Sequence, residues 1–258
     1  MATIAPDAGS VESGKELTIL EHLQELRRRL FISAGALVIA FTGSLFLTKR
    51  FMHWLTQPAV HSGQDVSIVF TDVLGYWGAY FRVAMLAAIA MAMPILVYQA
   101  LAFVSPGLKR EEKRWVYPLV AFATVAFVGG ALFAYYLELP PALGFLLNSG
   151  DNIKPMINVT GYIDFVTRLM LVTGLVFELP LFVMGLAKLH VVTSRKLLSW
   201  WRYAIVLAFV ISAIVTPSID PITQTVVAVP MITLYFTGIF LAWLVERSRR
   251  KAQEQPIG

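Results

Sequence analysis

The sequence contains no cysteine and little charge, and both absences narrow the classes of protein it can encode. Without cysteine there is no disulfide, thiol nucleophile or cysteine-based metal site. Charged residues make up 14% of the 258 residues, whereas a soluble domain carries about a quarter. Hydrophobic residues make up 57%. This composition predicts an integral membrane protein built as a single helical bundle.

Motifs for catalysis and metal binding are also missing from the sequence. Histidine occurs four times, and no two of these residues have metal-ligand spacing. There is no nucleophile motif with Ser, His and Asp in a known order, and no glycine-rich phosphate loop. We therefore predict no enzyme, no cofactor and no metal site. An intramembrane enzyme is an alternative that turnover by the purified protein would support.

Apolar runs long enough to cross a bilayer predict six membrane spans in one domain. The predicted segments are a flexible tail (1–16), an interfacial amphipathic helix (17–29), spans at about 30–48, 73–104, 115–137, 162–187, 203–215 and 222–245, and a basic tail (246–258). Span five would reach only about 20 Å as an α-helix. After span one, Arg50–Pro58 predicts a second interfacial helix that stops at Pro58.

Basic residues are concentrated on one side of this predicted bundle. Groups of four Lys and Arg precede span one, separate spans two and three, separate spans four and five, and follow span six, which accounts for 16 of the 21. The positive-inside rule places these segments and both termini in the cytoplasm. We therefore expect a multi-pass, all-α protein of the cell inner (cytoplasmic) membrane. The net charge of +5 then requires no nucleic-acid partner.

Acidic residues on the same side form a candidate site for a cationic ligand. Glu25 lies in the amphipathic helix four residues before Arg29, a spacing that suits an ion pair. Glu111 and Glu112 follow span two among four basic residues. Two carboxylates on one face could bind two guanidinium groups in bidentate geometry. The alternative is a solvated charge cluster with no binding role.

Glu178 is an acid inside the apolar stretch Leu171–Leu186 of span four. A carboxylate at that depth is costly unless it is neutral, paired or hydrated. It could contact a partner helix or line a hydrated groove, and a helix bend at Pro180 would favour such a concave surface. The alternative is a protonated Glu178 that is hydrogen-bonded to a neighbouring helix. A proton-coupled secondary transporter using Glu178 as its relay is the alternative function, but it would require inverted repeats that the sequence lacks.

The turn between spans five and six holds two further polar residues. Asp220 lies within the turn, and Gln224 follows one helical turn into span six. A glutamine inside a span is a good hydrogen-bonding group between helices. Its partner could be another protein or a neighbouring helix of the same bundle.

Short motifs along nearly the whole chain resemble, in order and spacing, those of TatC, the multi-span core of the twin-arginine protein translocase. They are His22–Arg29, Thr71–Asp72, Pro94–Gln99, Ala102–Pro106 followed by Glu112, Phe177–Pro180, Arg202–Tyr203, Thr216–Pro217 with Asp220 and Gln224, and Pro230–Met231. Two features depart from the family. Phe236 stands where members often have Glu, and the Thr216–Gln224 turn is one residue longer than in some members.

The resemblance implies six spans cupped like a hand, with cytoplasmic termini, that recognise folded precursors by their Arg-Arg signal peptides. The implied signal-peptide residues are Glu25, Arg27, Phe103 and Glu112. The implied intramembrane or partner-helix residues are Glu178, Asp220 and Gln224, and Pro58 is the implied structural residue of an outer loop. Implied partners are single-span TatA-like and TatB-like proteins, membrane lipid and further copies of the chain, with export driven by the proton-motive force.

Overall fold

The computed structural model of the chain describes residues 19–60, 67–69, 74–104, 116–148, 156–188, 191–217 and 220–254. Most of these residues are helical. The helices are α1 (Ile19–Ser44), α2 (Thr48–Val60), α3 (Gly75–Val104), α4 (Val116–Phe133), a π-helical turn (Ala134–Glu138), α5 (Leu139–Asn148), α6 (Val159–Phe177), α7 (Leu179–Lys188), α8 (Ser194–Ser199), α9 (Trp201–Val215) and α10 (Pro221–Glu254). Two short strands, β1 (Ser67–Val69) and β2 (Met156–Asn158), occur in the connections.

Six helical units in the described residues have the apolar character of membrane spans, as the sequence predicts. Four are long enough to cross a membrane alone, at Gly75–Phe103, Val116–Leu147, Val159–Lys188 and Pro221–Ser248. The fifth unit is the pair α1–α2, which is bent by 78°, and the sixth is the shorter apolar helix α9. At ~1.5 Å per residue α9 reaches about 22 Å, which is less than the ~30 Å hydrocarbon core.

The first span differs from the predicted division into an interfacial helix (17–29) and a span (30–48). The structure has one continuous helix, α1, because no proline interrupts Ile19–Ser44. The chain then turns, and the Ser44 hydroxyl donates to the carbonyl of Ala84 at 2.8 Å. Tyr80 donates to the carbonyl of Leu45 at 2.6 Å. These bonds hold the turn between α1 and α2 against α3.

The third span continues through residues 138–148, although the sequence predicts that it ends at residue 137. The N–H of Leu139 donates to the carbonyl of Ala134, five residues back, so the helix widens into the π turn. Pro140 and Pro141 follow at once, and neither has the N–H that a regular helix would use. The wider turn accommodates that loss, and the helix continues to Asn148 instead of ending.

A parallel strand pair joins two connections that the sequence predicts as loops. Ser67 lies opposite Met156 and Val69 opposite Asn158, so the α2–α3 connection is paired with the α5–α6 connection. Strands of three residues are too short to carry a periodic pattern, so hydropathy does not predict them.

Helix α2 packs against the π turn and the start of α6. Tyr135 donates to the carbonyl of Trp54 at 2.7 Å, and Tyr162 donates to that of Leu55 at 2.8 Å. The rings of Trp54 and Tyr135 are stacked, with their centroids 4.0 Å apart. The prediction that α2 stops at Pro58 is wrong by one half-turn, because the helix includes this half-buried residue and ends at Val60.

The fourth span consists of α6 and α7, with only Glu178 between them. Pro180 has no N–H for the carbonyl of Val176, so the helix breaks where the sequence predicts a bend. The last span also differs from the prediction. Helix α10 runs through the first part of the predicted basic tail and ends at Glu254.

Candidate functional site

Glu25 forms the ion pair within α1 that its spacing to Arg29 predicts. Nε of Arg29 donates to Oε1 of Glu25 at 3.1 Å, and Nη2 donates to the same oxygen. The Glu25 side chain keeps 24% of its surface exposed. Within the described part of the chain no hydrogen bond reaches Oε2, so half of this carboxylate is open to a further donor.

Two side-chain contacts join this part of α1 to the end of the antiparallel helix α3. Nη1 of Arg29 donates to Oε1 of Gln99 at 3.3 Å. Nearer the start of α1, the rings of His22 and Phe103 are stacked with centroids 4.3 Å apart and planes 26° apart. The structure therefore brings Glu25 and Phe103, both predicted to bind a signal peptide, to the same end of two packed helices.

The other two predicted signal-peptide residues do not join this contact. Arg27 is exposed, and its guanidinium carbon lies 5.6 Å from the centroid of the Phe31 ring. Glu112 lies outside the described residues, together with Glu111. The pocket of two carboxylates therefore stays a prediction.

Glu178 lines a cavity of about 230 Å³ between α3, α4 and α7. The other walls are apolar and include Leu101, Leu119 and Phe182. Its Oε1 atom is buried and has no hydrogen-bond partner among the residues with described positions. An unpartnered buried polar atom costs ~1–3 kcal/mol, so Glu178 is a functional candidate with one oxygen that the described bundle does not satisfy.

Asp220 has a structural role at the start of α10. Its Oδ1 accepts from the backbone N–H of Thr223 at 2.6 Å, which is the geometry of a helix N-cap, and Pro221 occupies the favoured first position. Gln224 lies in the next turn, and its carbonyl accepts from the Ser212 hydroxyl of α9 at 2.6 Å. Its half-buried side chain makes no hydrogen bond within the described ranges, so no bonding partner for it is found inside the bundle.

Glu138 is a buried acid whose burial is not predicted from the sequence. Only 2% of the residue is exposed, and Oε2 accepts from the Thr173 hydroxyl at 2.8 Å. Its Oε1 is buried without a partner in the part of the chain that the structure describes. The prolines after Glu138 predicted a loop, which would leave the acid in water. Only the π turn, which has no sequence signal, brings it into the bundle.

The described ranges contain no candidate metal site. No group of three His, Asp or Glu residues there could hold a metal ion. The described residues form a bundle of apolar helices with an acid that binds a guanidinium at its basic end. Two acids in the spans, Glu138 and Glu178, each have a buried oxygen without a partner among the described residues. These features define a multi-span membrane protein of the receptor or transport class.

Comparison with known proteins identifies the particular family. The family model described as Sec-independent protein translocase protein (TatC) matches residues 21–230, and the chain belongs to the TatC family. The resemblance carried by the sequence motifs is thereby confirmed. Among relatives, TatC of Koribacter versatilis is 34% identical over 96% of this chain and 95% of its own length. TatC of Synechocystis sp. is 36% identical over 92% and 93%.

Relatives also include a plant chloroplast protein and a protein of known crystal structure. The chloroplastic TATC of Arabidopsis thaliana is 34% identical over 95% of this chain and 71% of its own. A crystal structure titled twin arginine translocase receptor TatC aligns with a TM-score of 0.81 at 36% identity, over 88% of this chain and 100% of that chain. The predicted all-α membrane fold is thus confirmed.

Proposed function

We propose that this chain is the receptor subunit of a twin-arginine translocase, and that it binds the Arg-Arg signal peptides of folded precursors without altering them chemically. Membership of the TatC family supports the proposal, since relatives carry translocase names and a solved relative is titled a translocase receptor. The groups that would bind the peptide lie where α1 contacts α3.

The carboxylate of Glu25, which already binds one guanidinium, is the observation that carries the proposal. Arg29 uses only Oε1, so a second guanidinium can approach Oε2 without displacing it. A hydrogen bond between charged groups of this kind contributes ~1.5–3 kcal/mol. Phe103 would present apolar surface beside the arginine pair, and Glu112 would bind the second arginine. Arg27 is proposed as a contact on the family resemblance alone.

Single-span TatA-like and TatB-like subunits are the proposed membrane partners. The side-chain amide of Gln224 and one carboxyl oxygen of Glu178 make no hydrogen bond with the described residues. A partner helix could supply those bonds within lipid. The Lys and Arg distribution supports a multi-pass protein of the cytoplasmic membrane with both termini in the cytoplasm. Export would be driven by the proton-motive force.

Capture of paired signal peptides by the detergent-solubilised chain tests the receptor proposal. The two peptides differ only in carrying Arg-Arg or Lys-Lys, and we expect wild type to bind the Arg-Arg form more tightly. Glu25→Gln should weaken that binding about 10- to 100-fold, because ~1.5–3 kcal/mol is lost at ~1.4 kcal/mol per tenfold. Glu25→Gln combined with Glu112→Gln should abolish it.

Glu21→Gln is the matched control, since it removes one negative charge from the exposed surface of the same helix. We expect it to leave peptide affinity within a few-fold of wild type, because an exposed charge is well screened. Unchanged binding by the double variant would show that these acids are not the signal-peptide site.

A proton-coupled transporter is a second candidate function, because the bundle holds a second acid in addition to Glu178. Glu138 is nearly fully buried and bonds to Thr173 of α6, the helix that ends beside Glu178. Counterflow of a small solute in proteoliposomes would support this function. Its absence, together with peptide capture, would favour the receptor.

A further inference from the structure

Two adjoining pockets lie between the short helix α8 and the last part of α10. The first, of about 290 Å³, is lined by Ser194, Arg195, Trp243, Glu246 and Arg247. The second, of about 330 Å³, shares the first three of these and is otherwise lined by the apolar side chains of Leu198, Phe236, Ile239 and Phe240. A charged pocket therefore opens directly into an apolar groove.

The guanidinium groups in the first pocket have no anionic partner among the described residues. Arg195 is exposed, and Arg247 lies with its guanidinium carbon 5.2 Å from the centroid of the Trp243 ring. The one carboxylate in the pocket, Glu246, is used elsewhere. Its two oxygens accept from the backbone N–H and the hydroxyl of Ser194, each at 2.7 Å. Both guanidiniums are thus free to bind an anion.

The position of these pockets along α10 matches a membrane surface. Trp243 lies 22 residues after Pro221, which is about 33 Å along a helix axis and close to the ~30 Å hydrocarbon thickness. Tryptophan is enriched at headgroup level. Lys196 and Arg202, which lie over the rings of Trp200 and Trp201, add positive charge at the same end.

We propose that these two pockets form a binding site for one anionic phospholipid, with its phosphate on Arg195 and Arg247 and an acyl chain in the groove along Phe236 and Phe240. A phospholipid carries its phosphate and its long apolar chains on one glycerol, so a charged pocket beside an apolar groove matches its order of groups. Planar guanidiniums bind phosphate oxygens in bidentate geometry. Basic pockets between membrane helices are suited to such headgroups. The proposal is independent of signal-peptide binding.

Native mass spectrometry of the purified full chain in detergent tests the proposal. The probes are dioleoyl phosphatidylglycerol, dioleoyl phosphatidylcholine and, as a phosphate without acyl chains, glycerol 3-phosphate. We expect one phosphatidylglycerol bound per chain at least tenfold more tightly than phosphatidylcholine, because the choline cation of phosphatidylcholine would be repelled by the two guanidiniums. We expect glycerol 3-phosphate to bind at least a hundredfold more weakly than phosphatidylglycerol. Arg195→Gln with Arg247→Gln should lower phosphatidylglycerol affinity at least tenfold.

Lys196→Gln with Arg202→Gln is the matched control, because it removes two positive charges from the same end without changing either pocket. We expect it to change affinity by less than threefold. An equal loss in both double variants would overturn the proposal in favour of diffuse electrostatic attraction. Equal binding of phosphatidylcholine would overturn headgroup recognition, and equal binding of glycerol 3-phosphate would overturn the acyl groove. If the arginine double variant does not fold, the two single variants provide the same comparison.

Discussion

Thr173→Val should destabilise the bundle, because the carboxyl of Glu138 would lose the one hydrogen-bond partner that it has among the described residues. The bond from Thr173 to Oε2 measures 2.8 Å, and Oε1 is already buried without a partner. The substitution keeps the side-chain volume but leaves the whole carboxyl unsatisfied. An unsatisfied buried group costs ~1–3 kcal/mol. For a chain of this size that corresponds to a fall in Tm of about 2–12 °C.

A double-mutant cycle isolates this interaction. Glu138→Leu removes both oxygens at nearly constant volume, so we expect it to be neutral or stabilising. In that background Thr173→Val should cost little, because the hydroxyl no longer has a carboxyl to satisfy. The resulting coupling should be about 1–2 kcal/mol. Thr167→Val is the matched control, since this buried hydroxyl of the same helix donates to the Ile163 carbonyl at 2.6 Å.

Thermal unfolding in one detergent, followed by far-ultraviolet circular dichroism, measures all six chains of the cycle and its control. We expect Thr167→Val to have the same small effect with Glu138 or Leu at position 138. The reasoning is refuted if Thr173→Val behaves like Thr167→Val in both backgrounds. That result would mean that water or lipid satisfies the carboxyl and the bond contributes nothing.

Two further predictions concern helix packing and partner contact. Gly130→Ala should lower the free energy of unfolding by about 1–3 kcal/mol, and with it the unfolding temperature, because the new Cβ would lie 2.7 Å from the Phe177 ring. The matched control is Gly129→Ala, whose Cβ meets nothing within 4 Å and which should be neutral. Equal effects of the two would contradict this packing. Gln224→Ala should leave the unfolding temperature unchanged but reduce copurification of a single-span partner, whereas a loss of stability would place its amide contact inside the bundle.

Hydropathy predicted most of this fold, because each long span must be apolar wherever it contacts lipid. The span predicted at 73–104 is the helix Gly75–Val104, and the break at Glu178 follows from the proline two residues later. These features depend on the local sequence alone. The same is true of the Glu25–Arg29 pair, whose four-residue spacing brings the side chains together on any helix.

Features that depend on contacts distant in sequence could not be predicted. The turn after Ser44 is fixed by hydrogen bonds to α3, and the strand pair forms between connections about 90 residues apart. The burial of Glu138 requires a π turn that no sequence pattern indicates. The pairing of His22 with Phe103 likewise depends on how α1 and α3 pack.

The π turn at Ala134–Glu138 makes the rotational setting of this span sensitive to length. One extra residue is fitted into the turn, and a single residue corresponds to ~100° of rotation about a helix axis. A TatC chain that is one residue shorter here and lacks the two prolines could run as an unbroken α-helix, with the side chain at the position of Glu138 carried round to another side of the span. An insertion or deletion, with no change in polarity, would therefore be enough to bring a carboxyl into this bundle or to remove one from it.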